Sequence, residues 1–100
     1  MNIQILQESG LTKNESLVYQ ALLELGPSLA GMISRKSGLH RRTVYDVLDI
    51  LIEKGLASFI LKNNRKLFQA SSPSRFLDIL KKQELAVQQE LPEMFSFYQS

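Results

Sequence analysis

One hundred residues make about one domain, which excludes a multidomain enzyme with separate cofactor and substrate modules. Hydrophobic residues at 44% and charged residues at 22% suit a chain that buries a core, and the absence of cysteine excludes disulfides, thiolate metal sites and cysteine nucleophiles while fitting a reducing compartment. The net charge of +2 hides an uneven distribution: from Arg35 to Lys66 eight cations face only Asp46, Asp49 and Glu53, whereas the rest carries four cations and seven anions. One surface of the protein is therefore able to meet a polyanion while the remainder is not.

The start of the chain lacks a basic leader followed by a long apolar stretch, and no run approaches the roughly 18 apolar residues of a membrane span. A soluble, cytoplasmic protein without a membrane partner is expected. Ile3, Leu6 and Leu11 form either a short helical turn or an extended arm over residues 1–10. Thr12-Lys13-Asn14-Glu15 is a capping-box pattern that opens a helix, in which Leu17, Val18, Ala21, Leu22 and Leu25 make an apolar stripe before Gly26-Pro27 stops it. Ser28 is placed to cap a second, short helix that turns Leu29, Ala30 and Ile33 inward and closes at Ser37, with Gly38 supplying the left-handed residue. A third helix runs from His40 to Lys54, with Val44, Val47, Leu48 and Leu51 at helical spacing and Gly55 at its end. Two helices joined by a glycine-containing turn, the second amphipathic and basic at its start, fit a helix-turn-helix.

Residues 56–61 and 66–70 read as strands joined through Lys62-Asn63-Asn64-Arg65, whose asparagines tolerate positive φ. The hairpin tip carries Lys62, Arg65 and Lys66, as a basic wing would. Ser71-Ser72-Pro73-Ser74 then starts a long helix in which Leu77, Leu80, Glu84, Val87, Leu91 and Met94 alternate three and four residues apart, the spacing of a coiled-coil seam with one polar exception. Pro92 is expected to kink or end that helix near Leu91, leaving Phe95, Phe97 and Tyr98 as an aromatic tail. The fold expected is mainly α with a small β-hairpin: an N-terminal arm (1–10), a winged helix-turn-helix (11–72) and a C-terminal helix (73–100) whose Leu77, Leu80, Val87, Leu91 and Met94 join two subunits.

This order of elements, together with Leu11-Thr12-Lys13-Asn14-Glu15, the run Val18 to Pro27, Ala30-Gly31, Ser37-Gly38-Leu39, Arg41, Val44-Tyr45-Asp46-Val47-Leu48, Leu51, Glu53-Lys54-Gly55-Leu56, and Phe68 and Ala70 before Pro73, resembles the DNA-binding domain of the mostly archaeal TrmB-like transcriptional regulators. The resemblance covers about residues 11–80. It implies sequence-specific binding of double-stranded DNA and control of transcription initiation. Many relatives append a carboxy-terminal effector-sensing domain, which these hundred residues do not contain. A complete chain would be a bare DNA-binding dimer or a partner-dependent regulator, whereas a fragment would reopen the question of an effector.

Taking Val44 as zero at 100° per residue, Arg42 and Asp46 fall near 160° and 200°, opposite the apolar stripe of the third helix, with Arg41, Thr43 and Tyr45 flanking them. Arg42 is the first choice to read a base, since arginine pairs bidentately with guanine at about 1–3 kcal/mol of discrimination. Arg41 is assigned to a phosphate, as are Ser28, Ser34, Arg35 and Lys36 on the second helix. Lys62, Asn63, Asn64, Arg65 and Lys66 of the wing meet phosphates or an adjacent minor groove, so binding should fall steeply with salt. Tyr45 serves equally as a packing residue or a DNA contact. His40 stands at the start of the recognition helix as a cap or solvent group rather than a zinc ligand, because no cysteine or second histidine accompanies it. Asp46 accepts from cytosine or orients Arg42, while Asp49 and Glu53 read as a solvated acidic side.

No phosphate loop, nucleophile elbow or histidine cluster is present, so an enzyme and a cofactor are not expected. The leading expectation is a homodimer that occludes a promoter, its recognition helices about 34 Å or a multiple apart. The rival is a winged-helix module that binds another protein and not DNA. RNA is disfavoured because paired aromatics on an exposed sheet are not evident.

Overall fold

Thr12 opens the first long helix through both halves of its box. Its hydroxyl oxygen accepts from the Glu15 backbone N–H at 3.1 Å, and the Glu15 carboxylate accepts from the Thr12 N–H at 3.1 Å. Two of the N–H groups that a helix start leaves without partners are thereby satisfied. The computed structural model describes residues 2–100. Its order is α1 (Ile3–Glu8), α2 (Lys13–Leu25), α3 (Ala30–Ser37), α4 (Arg41–Glu53), β1 (Ala57–Lys62), β2 (Arg65–Ala70) and α5 (Ser74–Gln99).

The apolar stripes read from the sequence converge on one core. Val18, Ala21 and Leu22 of α2 meet Ile33 of α3 and Val44, Val47, Leu48 and Leu51 of α4, with Leu56 and Phe68 closing the side toward the hairpin. Each buried Leu, Ile or Phe side chain there contributes about 1.5–3 kcal/mol of transfer free energy. Leu17 and Leu25, expected inward, are half-buried at the rim. The N-terminal residues take the helical alternative: Asn2 caps α1, and Leu6 and Leu11 join the core. Tyr19 is buried against Phe76 with ring centroids 6.2 Å apart, and its hydroxyl finds no hydrogen-bond partner among the described residues.

The hairpin pairs antiparallel from Ala57 opposite Ala70 to Lys62 opposite Arg65, so its loop is two residues long. Asn63 and Asn64 have φ of 52° and 61°, the paired left-handed conformation whose twist matches that of the flanking strands. Both strands extend closer to the tip than expected, because asparagine fills this turn without strain. A second pairing anchors the hairpin: Ser28 N–H donates to the Phe68 carbonyl at 2.9 Å, and Phe68 N–H donates to the Ser28 carbonyl at 2.8 Å. This corrects the reading of Ser28. It does not cap α3, whose N-cap is Leu29 without a side-chain hydrogen bond; its hydroxyl instead donates to the Gly26 carbonyl at 2.8 Å.

Of the two outcomes expected at Pro92, the ending does not occur: α5 continues through it to Gln99 and keeps Phe95, Phe97 and Tyr98 within the helix instead of releasing them as a tail. Proline removes one N–H and crowds the preceding turn, but the neighbouring backbone bonds keep a helix of 26 residues intact across it. Phe76 and Ile79 lie against the core, whereas Leu77, Val87, Leu91 and Met94 of the seam are exposed and Leu80 is half-buried. The helix makes the molecule 58 Å long but only 24 × 23 Å across.

Candidate nucleic-acid interface

The turn between α3 and α4 is fastened from inside. Gly38 takes a left-handed φ of 77°, the Ser34 hydroxyl donates to the Leu39 carbonyl, and the Ser37 hydroxyl accepts from the Leu39 N–H at 3.3 Å. Ser34 is therefore half-buried and committed to the turn, which corrects its assignment to a phosphate. His40 occupies the N-cap of α4 but makes no side-chain cap bond and is exposed.

This turn sets the start of α4 beside the start of α3, and the wing folds over both. Between them lies a groove of about 500 Å³ lined by Leu29, Ala30, Gly31, Met32, Arg35, Arg41, Tyr45, Asn64, Arg65 and Lys66. Four of these residues are cationic and none is acidic. The Tyr45 ring meets Phe68 edge-on at 6.1 Å while remaining nearly half exposed, so it packs and faces the groove at once. Phe68 in turn lies 5.9 Å from Phe59, and the Lys66 ammonium sits 4.4 Å from the Phe59 ring centroid. Attraction to the negative ring face holds Lys66 in place beside the tip of the wing. Lys62, Asn63 and Arg65 border a second hollow on the other side of the hairpin, so Arg65 stands between the two.

Arg41 lies in the main groove, its guanidinium against α3 at Gly31. Arg42 and Asp46 are exposed on the outward side of α4 and Thr43 is half-buried; none of the three lines the groove. Arg42 thus remains free for a partner in front of α4, while the wall nearest the wing belongs to Arg41 and Tyr45.

Two basic residues pair with carboxylates of α2. Lys36 pairs with Glu24 of α2 at 3.2 Å, with both side chains still about half exposed. Its hydrogen bond, with one from Gln20, holds the Glu24 carboxyl below the usual range. Lys54 donates to the Glu15 carboxylate at 2.9 Å, joining α2 to the end of α4. Burial alone would raise the Glu15 pKa, but the bonds from Lys54 and Thr12 outweigh it and hold the carboxyl below its ordinary value. The contribution of Gly31 to the groove, and this second role of Glu15 beyond its cap, were not apparent from the sequence: their partners lie 10 and 39 residues away, beyond the reach of periodicity. Ser28, 3% exposed, is likewise unavailable to a phosphate.

Among the described residues no cluster of three or more histidine, cysteine or carboxylate side chains is placed to hold a metal ion. No helix among them is long and apolar enough to cross a membrane.

A family model described as sugar-specific transcriptional regulator TrmB matches residues 6–74. The chain is 36% identical over 93 residues to the HTH-type sugar sensing transcriptional regulator TrmBL1 of Pyrococcus furiosus, covering 93% of this chain and 27% of that protein. It therefore spans about a quarter of that relative's length. Among solved structures it is similar to TrmBL2, described as an archaeal chromatin protein with a novel mode of DNA binding, with a TM-score of 0.81 and 24% identity over 97% of this chain and 38% of that one. It is also similar to a possible transcriptional regulator from Methanosarcina mazei, with a TM-score of 0.77 and 18% identity over 96% and 86% of the two chains. These structural likenesses establish the winged-helix fold.

Proposed function

Because this chain belongs to the TrmB family of sugar-specific transcriptional regulators, which are not enzymes, we propose that it binds double-stranded DNA through the surface formed by α4 and the wing. The observation that carries this reading is the groove between α3, α4 and the hairpin. It gathers Arg35, Arg41, Arg65 and Lys66 without a carboxylate, on a protein whose net charge is only +2. A surface so enriched releases counterions when it meets phosphates. In this reading α4 enters the major groove, with Arg42 reading a base and Asp46 beside it; Arg41 and Arg35 hold phosphates, and Lys62, Asn63, Asn64, Arg65 and Lys66 follow the backbone or the neighbouring minor groove.

The binding unit is a homodimer joined along α5 by Leu77, Leu80, Val87, Leu91 and Met94, and regulation proceeds by occlusion of a promoter. Two features support the dimer: a sustained apolar seam on a helix that projects beyond the core, and the two-fold logic by which paired recognition helices address paired half-sites. Titrating duplex DNA across a salt series tests the reading. The wild type should bind tightly at low salt and lose affinity steeply as salt rises. Arg42→Ala should relax sequence preference, and alanine at Lys62, Arg65 and Lys66 together should flatten the salt dependence by about three in the log–log slope. No affinity for any duplex at low salt overturns the proposal and leaves the protein-binding module standing.

A further inference from the structure

The wall of the groove contains two choices that are unfavourable locally and meet in space. Gly31 lies within α3, where glycine weakens a helix relative to alanine. Arg41 opens α4, the end at which the helix dipole disfavours a cation. A methyl group built on Gly31 would stand 2.6 Å from Arg41 Nη2 and 3.4 Å from its Cζ, so the guanidinium lies where the side chain of any other residue would be. Gly31 has an ordinary helical φ, unlike Gly10, Gly26, Gly38 and Gly55, so backbone freedom does not explain it. Arg41 belongs to no ion pair among the described residues. Sequence positions that depart from local preference without an internal return are where a functional requirement is expected.

We propose that Gly31 is a positioning residue for DNA binding: its missing side chain makes the seat on α3 that receives the Nη2 end of the otherwise exposed Arg41 guanidinium, placing it in the groove to meet a backbone phosphate. This rests on the DNA-binding reading and adds to it a division of labour at the start of α4, in which the seated Arg41 sets the register and the unseated Arg42 faces the bases. A guanidinium seated at its Nη2 end presents its remaining N–H groups in a preferred direction, as bidentate recognition of a phosphate requires.

The atoms that a methyl at Gly31 would meet are the far end of a flexible side chain. Gly31→Ala should therefore expel the guanidinium and leave the fold intact. The test compares the wild type, Gly31→Ala, Arg41→Ala and the double variant, first against random-sequence duplex DNA at low salt and then against any duplex enriched from it, with thermal unfolding of each. The expected result has three parts. The melting midpoint of Gly31→Ala is equal to or above that of the wild type. Its affinity for DNA falls about tenfold and its salt slope falls by about one, as for Arg41→Ala. The double variant binds no more weakly than Arg41→Ala alone, because the two substitutions remove the same contact. Wild-type affinity in Gly31→Ala, or losses that multiply in the double variant, overturn the proposal while leaving DNA binding in place. A wild type that binds no DNA overturns both.

Discussion

Helices α4 and α5 carry apolar stripes of the same kind and meet opposite fates. In α4, Val44, Val47, Leu48 and Leu51 are between 0% and 6% exposed, enclosed by α2, α3 and the hairpin. In α5, Leu77, Val87 and Met94 are more than half exposed, and no residue of the helix is buried. An apolar stripe specifies that a face must be covered but leaves open what covers it. For α4 the cover is the chain itself, since short connections return the neighbouring helices. For α5, which follows the last strand and projects beyond the core, the proposed cover is a second copy.

The contrast can be pressed at both helices. Truncating Leu48→Ala should open a cavity that its rigid surroundings cannot close and lower unfolding free energy by about 3 kcal/mol, measured by urea titration. Val87→Asp, on the exposed seam, should leave the core as stable as before. It should convert a sedimenting dimer into a monomer and reduce apparent affinity for a two-half-site duplex by about a hundredfold, as coupling between sites is lost. A wild type that sediments as a monomer at every concentration would remove the distinction drawn between the helices.

A smaller effect belongs to the junction of α2 with α4. Because the folded state holds the Glu15 carboxyl below its ordinary value of 4.5, it stabilises the fold in full above that pH and progressively less as pH falls through the depressed value. Glu15→Gln should therefore cost about 1 kcal/mol near neutrality, a modest figure because Lys54 remains partly exposed to solvent. The difference from wild type should shrink in acid, as followed by thermal unfolding across a pH series.

Local signals in the sequence placed most of the elements, though not the start of α3 or the end of α5. The Thr12–Glu15 box, the stops at Gly26, Gly38 and Gly55, and the paired asparagines of the turn each act through neighbours within four residues, so their consequences are visible in the chain order. The charge of the central segment was equally visible, but its disposition was not. Lys36 and Lys54 count toward that charge yet are bound to carboxylates of α2, and Ser28 exchanges an expected cap for a bridge to a strand forty residues away. Pro92 illustrates the converse: its local penalty is real, but the helical bonds on either side of it continue the helix. At the start of α4, the outward angular position of Arg42 follows from helix geometry, whereas the seat of Arg41 in the groove depends on a missing side chain in another helix.

The bridge between Ser28 and Phe68 bears on how the hairpin meets a ligand. A two-stranded ribbon attached only at its base would swing, and each productive encounter would have to arrest that motion. Here the ribbon is tied to the segment leading into α3 by two hydrogen bonds at Phe68, halfway along its second strand. Only three residue pairs and the turn project beyond that bridge, so folding already restricts the opening between the basic tip and the start of α4, as the frame of a caliper restricts its jaws.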